Sequence, residues 1–290
     1  MNAVADVMSK HAVGWIGLGR IGLPMAQRVL GAGWPLHVWA RRREAAAAVL
    51  AAGATWADTP EQLARSCNTL CTVVGGPDDV LTLHDRLIPQ AQPGTVFIDC
   101  STAAVHTAQA SQQCAGVHGV HSVDAPVTGG VAGAEQGTLT CFVGGTENAL
   151  QGATPLLQTF CKRIVHCGPA GSGYRTKLVN QTLVAGTLLG LADAAQLARA
   201  SGLPAQVLLD TVASGTAASF LLPSYLPRMM SGSGPITFTL GLLRKDLRLA
   251  LGKARQLGLQ PRLLQAACLA VDDACQRHGS EAGVQMLAQG

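Results

Sequence analysis

Three glycines near the start of the chain have the spacing of a phosphate-binding loop. Gly17, Gly19 and Gly22 follow a short apolar run over 12–17 and precede a helical pattern over 21–33. In such a motif the first glycine permits a tight turn, the second lets the backbone approach a pyrophosphate, and the third lets the helix pack on the strand. The helix N-terminus then faces the phosphates. We therefore predict dinucleotide binding by the loop Gly17, Leu18, Gly19, Arg20, Ile21 and Gly22.

The second predicted strand, residues 37–40, ends in arginines rather than in an acidic residue. A protein that prefers NAD has an Asp or Glu near this position, which binds the ribose 2′-hydroxyl. Arg41 and Arg42 instead offer permanently charged, forked donors that suit a 2′-phosphate. We therefore predict NADP(H) as the preferred cofactor, with NAD(H) as the alternative. A second interpretation is that the arginines merely cap the next helix and that other residues hold the cofactor.

A lysine and an asparagine share one face of a predicted helix. Lys177 and Asn180 are three residues apart, and the paired glycines Gly171 and Gly173 precede them. A lone lysine near a helix N-terminus is usually a solvated surface charge, although positive charge is unfavourable there. Clefts, however, form where domains meet. Lys177 is thus a candidate general acid for a carbonyl oxygen, and Asn180 is a candidate hydrogen-bond donor that orients the substrate.

The first half of the chain alternates between strand-like and helix-like segments. An alanine-rich helix is predicted over 43–52, and helical stretches or Gly/Pro turns separate most of the strands. Besides the two strands above, apolar and β-branched runs occur at residues 69–74, 95–100, 120–127, 139–143 and 164–167. This alternation predicts βαβ units and hence an α/β fold, a Rossmann-type doubly wound sheet with helices on both faces.

The pattern changes near Gly168. From Gly173 to Ser201 there is no proline and apolar residues recur at helical spacing, which predicts one long helix. Further helical segments follow, and no strand is predicted among them. We predict an NADP-binding domain at 1–170 and an all-α domain for substrate binding and dimerisation at 171–290. The most apolar part of the long helix, residues 178–192, is too short to span a bilayer.

The composition favours a tightly packed α/β protein. Of the 290 residues 48% are hydrophobic and 13% are charged, which excludes disorder as the dominant state. The net charge of +4 is too small for a nucleic-acid-binding surface. Nine cysteines without a C-x-x-C pair favour a reduced, cytoplasmic protein. His118 and His121 lack a matching thiol pair, so no metal site is predicted. The first ten residues do not resemble a signal peptide.

Four motifs occur in a fixed order along most of the chain. The first is the glycine motif, which continues as GLGRIGLPMA. The second is DAPVTGG at 124–130, the third is G-x-G-x-x-x-K-x-x-N at 171–180, and the fourth is KDLRLA at 245–250. From about Gly14 to Leu251, the chain resembles the β-hydroxyacid dehydrogenase family. That family includes 3-hydroxyisobutyrate dehydrogenase, tartronate semialdehyde reductase and glyoxylate/succinic semialdehyde reductases.

The resemblance implies a role for individual residues. It makes Lys177 the catalytic acid/base and makes Asn180 a substrate ligand. It assigns the substrate carboxylate to the hydroxyl and backbone amides of Thr128, Gly129 and Gly130, and it places the aromatic ring of Phe238 over the site. Its implied cofactor contacts are Val74, Gly75 and Thr102, together with Lys245 near the nicotinamide and Asp246 beside it.

The chain departs from the family pattern at several of these positions. Thr128 stands where the family usually has Ser, which keeps the hydroxyl and adds a methyl group. The loop VVGGP at 73–77 replaces a more usual Met-Leu-Pro sequence. Ala40-Arg41-Arg42 stands where NADP-preferring relatives often have Asn-Arg-Thr. Imine-reducing relatives usually lack the catalytic lysine, so Lys177 argues against that activity.

These observations together predict an oxidoreductase. Its reaction would interconvert a small carboxylate-bearing aldehyde and its hydroxy acid by hydride transfer, with Lys177 as general acid/base. One alternative is reduction of an imine or another substrate without a carboxylate. Another is a module that senses NADP without turnover. The long helix and the low charge further predict a homodimer or homotetramer, without nucleic-acid or membrane partners.

Overall fold

The computed structural model describes residues 11–289. The first ten residues, for which the sequence predicts no signal peptide, lie outside the described part. The chain divides into two compact units, Met1–Lys177 and Leu178–Gly290. The first is built on a β-sheet and the second is helical.

The first unit contains one sheet of nine strands. The strands are β1 (Val13–Ile16), β2 (Leu36–Trp39), β3 (Thr55–Trp56), β4 (Thr69–Thr72), β5 (Val96–Asp99), β6 (His121–Asp124), β7 (Val127–Thr128), β8 (Leu139–Gly144) and β9 (Cys161–Gly168). Six of them are parallel and lie in the order β3-β2-β1-β4-β5-β6. This is the strand order of doubly wound dinucleotide-binding sheets, so the predicted Rossmann-type fold is confirmed. The remaining strands extend the sheet beyond β6, with β8 antiparallel to β6 and β7, and β9 parallel to β8.

Helices cover both faces of this sheet. They are α1 (Gly22–Gly31), α2 (Ala47–Ala51), α3 (Pro60–Ser66), α4 (Pro77–Leu87), α5 (Val105–Val117), α6 (Gly130–Gln136) and α7 (Glu147–Leu157). Neighbouring residues of β1 alternate between the two cores. Trp15 packs in the cluster that includes Met25 and Phe160, whereas Ile16 packs in the cluster that includes Leu63 and Phe97. Burial of both faces explains why the parallel strands are continuous apolar runs.

Several predicted elements have different bounds in the structure. The run predicted as one strand over 120–127 is broken after Asp124, because Pro126 has no amide hydrogen for the ladder. The predicted helix over 43–52 begins as a 3-10 turn, Arg43–Ala46, before α2. Strand β9 extends to the polar residues Lys162 and Arg163, which the apolar pattern did not include. Such charged residues are common on strands at a sheet edge.

The second unit packs helices around one apolar core. The helices are α8 (Ser172–Ala200), which begins in the first unit, α9 (Ala205–Val212), α10 (Leu222–Ser231), α11 (Leu240–Gln256) and α12 (Arg262–His278). Buried leucines of α8 and α11, such as Leu188 and Leu247, meet in the core. The guanidinium of Arg199 closes the end of the unit by donating to the carbonyl oxygens of Met229 and Ala288.

Helix α8 is longer than its most apolar stretch. Its 29 residues span about 43 Å, so by length and composition alone it could cross a membrane. The expectation that the stretch over 178–192 is too short therefore does not hold for the whole helix. One face of α8 belongs to the core of the second unit, where Leu178, Ala185, Leu188 and Leu191 are buried. That packing accounts for much of its apolar composition.

Candidate functional site

The glycine loop between β1 and α1 has no room for a side chain at two of its glycines. Gly17 adopts a φ of +104°, and a Cβ built there would lie 2.1 Å from the carbonyl oxygen of Val73. A Cβ at Gly22 would lie 2.1 Å from the carbonyl oxygen of Gly17. At Gly19, in contrast, nothing lies within 4 Å of the built Cβ. This surface is open to the close approach of a pyrophosphate, and the loop fits a nicotinamide dinucleotide.

The three arginines after β2 have different surroundings. The side chain of Arg41 is 82% exposed, and its Nη1 lies 4.0 Å from Oδ1 of Asp79 on α4. Arg42 is exposed at the N-cap of the 3-10 turn and makes no side-chain capping bond there. The guanidinium of Arg43 lies 5.3 Å from the ring centre of Trp56. Arg41 and Arg42 thus remain accessible to a phosphate, and Asp79 is an acidic neighbour that sequence reasoning missed.

The loop after β4 is hydrogen-bonded to the loop after β5. The amide of Val74 donates to Oγ of Ser101 at 2.8 Å, and the amide of Ser101 donates to Oδ1 of Asp99 at 2.7 Å. Thr102 follows in the second loop and is half-buried. Gly75 lies against Asp79, because a Cβ on it would come within 2.6 Å of Oδ2 of that carboxylate. These cofactor candidates therefore lie at the carboxyl ends of parallel strands, where doubly wound sheets bind their ligands.

Lys177 is buried, with 8% of its surface exposed. It lies on the second turn of α8, and its Nζ donates a hydrogen bond to the carbonyl oxygen of Val127 at 2.8 Å. Thr128 follows on β7, and the glycines Gly129 and Gly130 then turn the chain into α6 with φ values of +131° and +67°. The first unit thus brings the acid/base candidate to the segment predicted to bind the substrate carboxylate.

Two buried carboxylates end neighbouring strands. Asp99 of β5 and Asp124 of β6 are paired in register. Oδ2 of Asp99 accepts a hydrogen bond from the Tyr174 hydroxyl at 2.6 Å, and burial raises the pKa of that hydroxyl well above its usual value. Burial also raises the pKa of Asp124 to about 6, although backbone amides of Gly171 and Tyr174 donate to it and oppose the shift. Sequence analysis included Asp124 only as part of the DAPVTGG motif and did not single out Asp99 or Tyr174.

A chain of polar side chains joins four residues of the second unit. Nδ2 of Asn180 donates to Oε1 of Gln181 at 2.9 Å, and Nε2 of Gln181 donates to Oδ2 of Asp246 at 2.6 Å. Oδ1 of Asp246 lies 2.9 Å from Nζ of Lys245. The buried carboxylate of Asp246 thereby fixes the amide orientation of Gln181, which in turn orients the Asn180 amide. Sequence reasoning named three of these residues and missed Gln181.

Phe238 lies just before α11. It is half-buried, and its carbonyl oxygen accepts from the amide of Val284 at 3.0 Å. The next residue, Thr239, caps α11 by accepting from the amide of Leu242 at 3.2 Å. Within residues 11–289, no group of three or more His, Cys, Asp or Glu side chains is placed to hold a metal ion.

Comparisons with known proteins cover both units. The family profile described as the NAD binding domain of 6-phosphogluconate dehydrogenase matches residues 12–168. The profile described as NAD-binding of NADP-dependent 3-hydroxyisobutyrate dehydrogenase matches residues 171–289. An NAD-dependent L-serine dehydrogenase of Pseudomonas aeruginosa is 34% identical over 252 residues, which is 82% of this chain and 83% of the relative.

Two solved structures share the fold along nearly the whole chain. One is 3-hydroxyisobutyrate dehydrogenase of Mycobacterium tuberculosis with L-serine, at 28% identity and a TM-score of 0.86, covering 96% of this chain and 98% of that one. The other is Psf3 in complex with NADP+ and 2-OPP, at 28% identity and a TM-score of 0.90, covering 95% and 98%. The chain belongs to the β-hydroxyacid dehydrogenase family, and it is an oxidoreductase with nicotinamide-dinucleotide-binding domains.

Proposed function

We propose that this oxidoreductase interconverts a small carboxylate-bearing aldehyde and its hydroxy acid, with Lys177 as the general acid/base. The observation that carries the proposal is the buried Lys177 ammonium, held 2.8 Å from the Val127 carbonyl beside Thr128. When bound, the nicotinamide dinucleotide supplies or accepts the hydride. Lys177 gives a proton to the substrate oxygen during reduction and takes the hydroxyl proton during oxidation.

The substrate carboxylate is assigned to the segment next to Lys177. The Thr128 hydroxyl and the backbone amides of Gly129 and Gly130 are donors of the type that binds carboxylates. Asn180 and Phe238 of the second unit are the further substrate contacts in this proposal. The ordered amide of Asn180 supports its role as an orienting donor, because Gln181 fixes which end of that amide is the nitrogen.

The names of these similar proteins indicate a class of substrate. They include L-serine and 3-hydroxyisobutyrate, which both carry a hydroxyl group on the carbon next to the α-carbon of a carboxylic acid. The test is the initial rate of NADPH and NADH oxidation with tartronate semialdehyde, methylmalonate semialdehyde, succinic semialdehyde and glyoxylate. We expect rapid turnover of at least one of them. No turnover with any acid, despite cofactor binding, would instead favour the imine-reducing or NADP-sensing alternatives.

NADP(H) is the preferred cofactor in this proposal, with NAD(H) as the alternative. The exposed guanidinium groups of Arg41 and Arg42 support it, since β2 ends without an acidic residue. Asp79 opposes it in part, because its carboxylate and a 2′-phosphate would compete for Arg41. The other cofactor contacts that we propose are Gly17, Leu18, Gly19, Arg20, Ile21, Gly22, Val74, Gly75, Thr102, Lys245 and Asp246.

Replacing Arg41 should change the choice of cofactor. A hydrogen bond to a charged group contributes about 1.5–3 kcal/mol, so Arg41→Ala should lower kcat/KM for NADPH by about tenfold or more. The value for NADH should change little, and Asp79→Asn should shift the preference towards NADPH. Arg43→Ala is the control, because its guanidinium lies over Trp56. Equal loss with both cofactors in Arg41→Ala would contradict the assignment.

We also propose that the two domains have different functions. Residues 1–170 would bind the dinucleotide, and residues 171–290 would bind substrate and form subunit contacts. The nine cysteines are free thiols, which supports a cytoplasmic location.

For the subunit contact the strongest candidate is the outer face of α8. Val179, Leu183 and Leu197 are 61%, 70% and 69% exposed there.

The exposed stripe on α8 predicts pairing with a second copy of the chain. Gly190 lies between the exposed leucines, is itself exposed and has no protein atom within 4 Å of a built Cβ, which permits close approach of another helix. We expect light scattering to give at least twice the chain mass of 29.8 kDa. Leu183→Glu should shift the protein towards the monomer, whereas Val117→Glu, on the exposed side of α5, should not. A wild-type protein of monomer mass would contradict this proposal.

A further inference from the structure

The carboxylate of Asp124 is fully engaged by the start of α8. Its Oδ1 accepts from the amide of Gly171 and its Oδ2 accepts from the amide of Tyr174, both at 2.8 Å. Amides in the first turn of a helix have no partner within the helix, and a negative charge is favourable there. Asp124 is also buried. Both oxygens point at the helix, so this carboxylate is occupied by the protein itself.

The backbone of α8 lies unusually close to the same strands. A Cβ built on Gly173 would lie 2.4 Å from the carbonyl oxygen of Phe142 and 2.5 Å from that of Asp124. A Cβ built on Gly144 would lie 2.4 Å from Oδ1 of Asp124 and 2.8 Å from the amide nitrogen of Gly173. The two glycines therefore let the first turn of α8 rest directly on β6 and β8, within reach of the carboxylate.

Lys177 is attached to the same segment one helical turn later. It follows Tyr174 by three residues, and its Nζ donates to the carbonyl oxygen of Val127, three residues after Asp124. The segment over 124–127 thus binds the start of α8 at two points, through the carboxylate of Asp124 and through the carbonyl oxygen of Val127. Movement of the first turn of α8 would displace the lysine head group from Val127.

A second line of hydrogen bonds reaches the same turn from the cofactor side. The hydroxyl of Tyr174 donates to Asp99 at 2.6 Å, and Asp99 also accepts from the amide of Ser101. Oγ of Ser101 in turn accepts from the amide of Val74. The loop after β4, which we propose as a cofactor contact, is thereby connected to the helix that carries the lysine.

We propose that Asp124 is a positioning residue, whose carboxylate fixes the first turn of α8 and thereby places the ammonium of Lys177, rather than a ligand of the substrate. The Asp99–Tyr174 bond is a second attachment of the same turn. This inference rests on the proposed catalytic role of Lys177. It assigns the first residue of the DAPVTGG motif to the helix, and leaves Thr128, Gly129 and Gly130 to the substrate.

The hydrogen bonds between Asp124 and the start of α8 should weaken as the pH falls. The titratable groups that face Asp124 are Asp99 from β5 and Tyr174 from α8. Burial is the main cause that raises the pKa of Asp124 to about 6, and the charge of Asp99 adds to it. Above that pH the carboxylate is ionised and accepts both amides strongly, whereas below it one oxygen carries a proton. In the reduction direction Lys177 acts in its protonated form, so its own titration lowers kcat only at high pH. A loss of kcat below about pH 6, the acid limb of the profile, therefore reports protonation of Asp124.

The test is steady-state kinetics of Asp124→Asn in the reduction direction. One amide of α8 then faces a nitrogen instead of an oxygen, so we expect kcat to fall at least tenfold, KM for the aldehyde to change less than twofold, and the acid limb to disappear. Tyr174→Phe should lower kcat about threefold and keep the acid limb. If Asp124→Asn fails to fold, the pH profile of the wild-type protein decides the question, because the inference requires a loss of kcat below about pH 6. Ser122→Ala, on the same strand, is the control.

Three results would overturn the inference. One is an unchanged kcat in Asp124→Asn or, where that variant fails to fold, a wild-type kcat that does not fall below about pH 6. Another is a rise in KM with kcat intact, which would make Asp124 a substrate ligand. Full activity in Lys177→Ala would remove the proposed function and this inference with it. Loss of activity in Lys177→Ala together with normal kinetics in Asp124→Asn would overturn the positioning role alone.

Discussion

Lys177→Ala should lower kcat at least 100-fold and leave cofactor binding unchanged. The substitution removes the group that we propose as the proton donor and acceptor for the substrate oxygen, and general acid–base catalysis contributes about 10²–10⁴-fold. Initial rates with saturating aldehyde measure kcat, and quenching of protein fluorescence by the dinucleotide measures binding. Lys162→Ala is the control, because that lysine is exposed on β9.

A second substitution separates charge from proton transfer. Lys177→Arg keeps a cation, but a guanidinium is not deprotonated in proteins and cannot exchange the proton. We therefore expect a loss of kcat close to that of Lys177→Ala. Turnover within tenfold of wild type in Lys177→Ala would contradict the assignment and would favour the imine-reducing alternative, which needs no lysine.

The glycine loop should respond differently at two of its positions. Gly17→Ala forces a Cβ against the carbonyl of Val73 at a backbone conformation that side chains rarely adopt. We expect it to destabilise the fold by at least about 3 kcal/mol, or to lower Tm by roughly 6 °C. Gly19→Ala meets no protein atom within 4 Å, so its Tm without cofactor should remain within about 2 °C of wild type.

Gly19→Ala should weaken cofactor binding even though it leaves Tm nearly unchanged. The new methyl group would occupy the surface on which the pyrophosphate rests, so Kd for the dinucleotide should rise at least tenfold. Calorimetric titration of the folded variant measures this. Normal affinity in Gly19→Ala would show that the phosphates do not approach the loop at that residue. A stable Gly17→Ala protein would contradict the steric role of Gly17.

Local patterns were sufficient to predict most of the fold. The glycine motif identified the β1–α1 turn, because tight turns and close approaches have few alternatives to glycine. The absence of proline from Gly173 to Ser201 predicted α8 almost to its ends. Strand β3 was missed, since two residues, Thr55 and Trp56, are too few to form a periodic pattern.

The attachments within the site could not be predicted in the same way. Tyr174 and Asp99 are 75 residues apart, and Gln181 and Asp246 are 65 apart. Spacing along the chain reveals only neighbours on one helix or strand. One signal was available, because Asp99 and Asp124 are the carboxylates within two successive predicted apolar runs, 95–100 and 120–127. Neighbouring parallel strands place such residues side by side. In the structure both carboxylates accept hydrogen bonds from Tyr174, in the first turn of α8.

Matched pairs of substrates test whether this oxidoreductase acts on carboxylate-bearing aldehydes. The measurement is kcat/KM with NADPH for each acid and for the aldehyde in which a methyl group replaces the carboxylate: glyoxylate against acetaldehyde, methylmalonate semialdehyde against 2-methylpropanal, and succinic semialdehyde against butanal. We predict that kcat/KM for the best acid is at least 100 times that for its neutral partner, because the donors at Thr128, Gly129 and Gly130 bind the carboxylate. Equal kcat/KM values for the best acid and its neutral partner would contradict the proposed function.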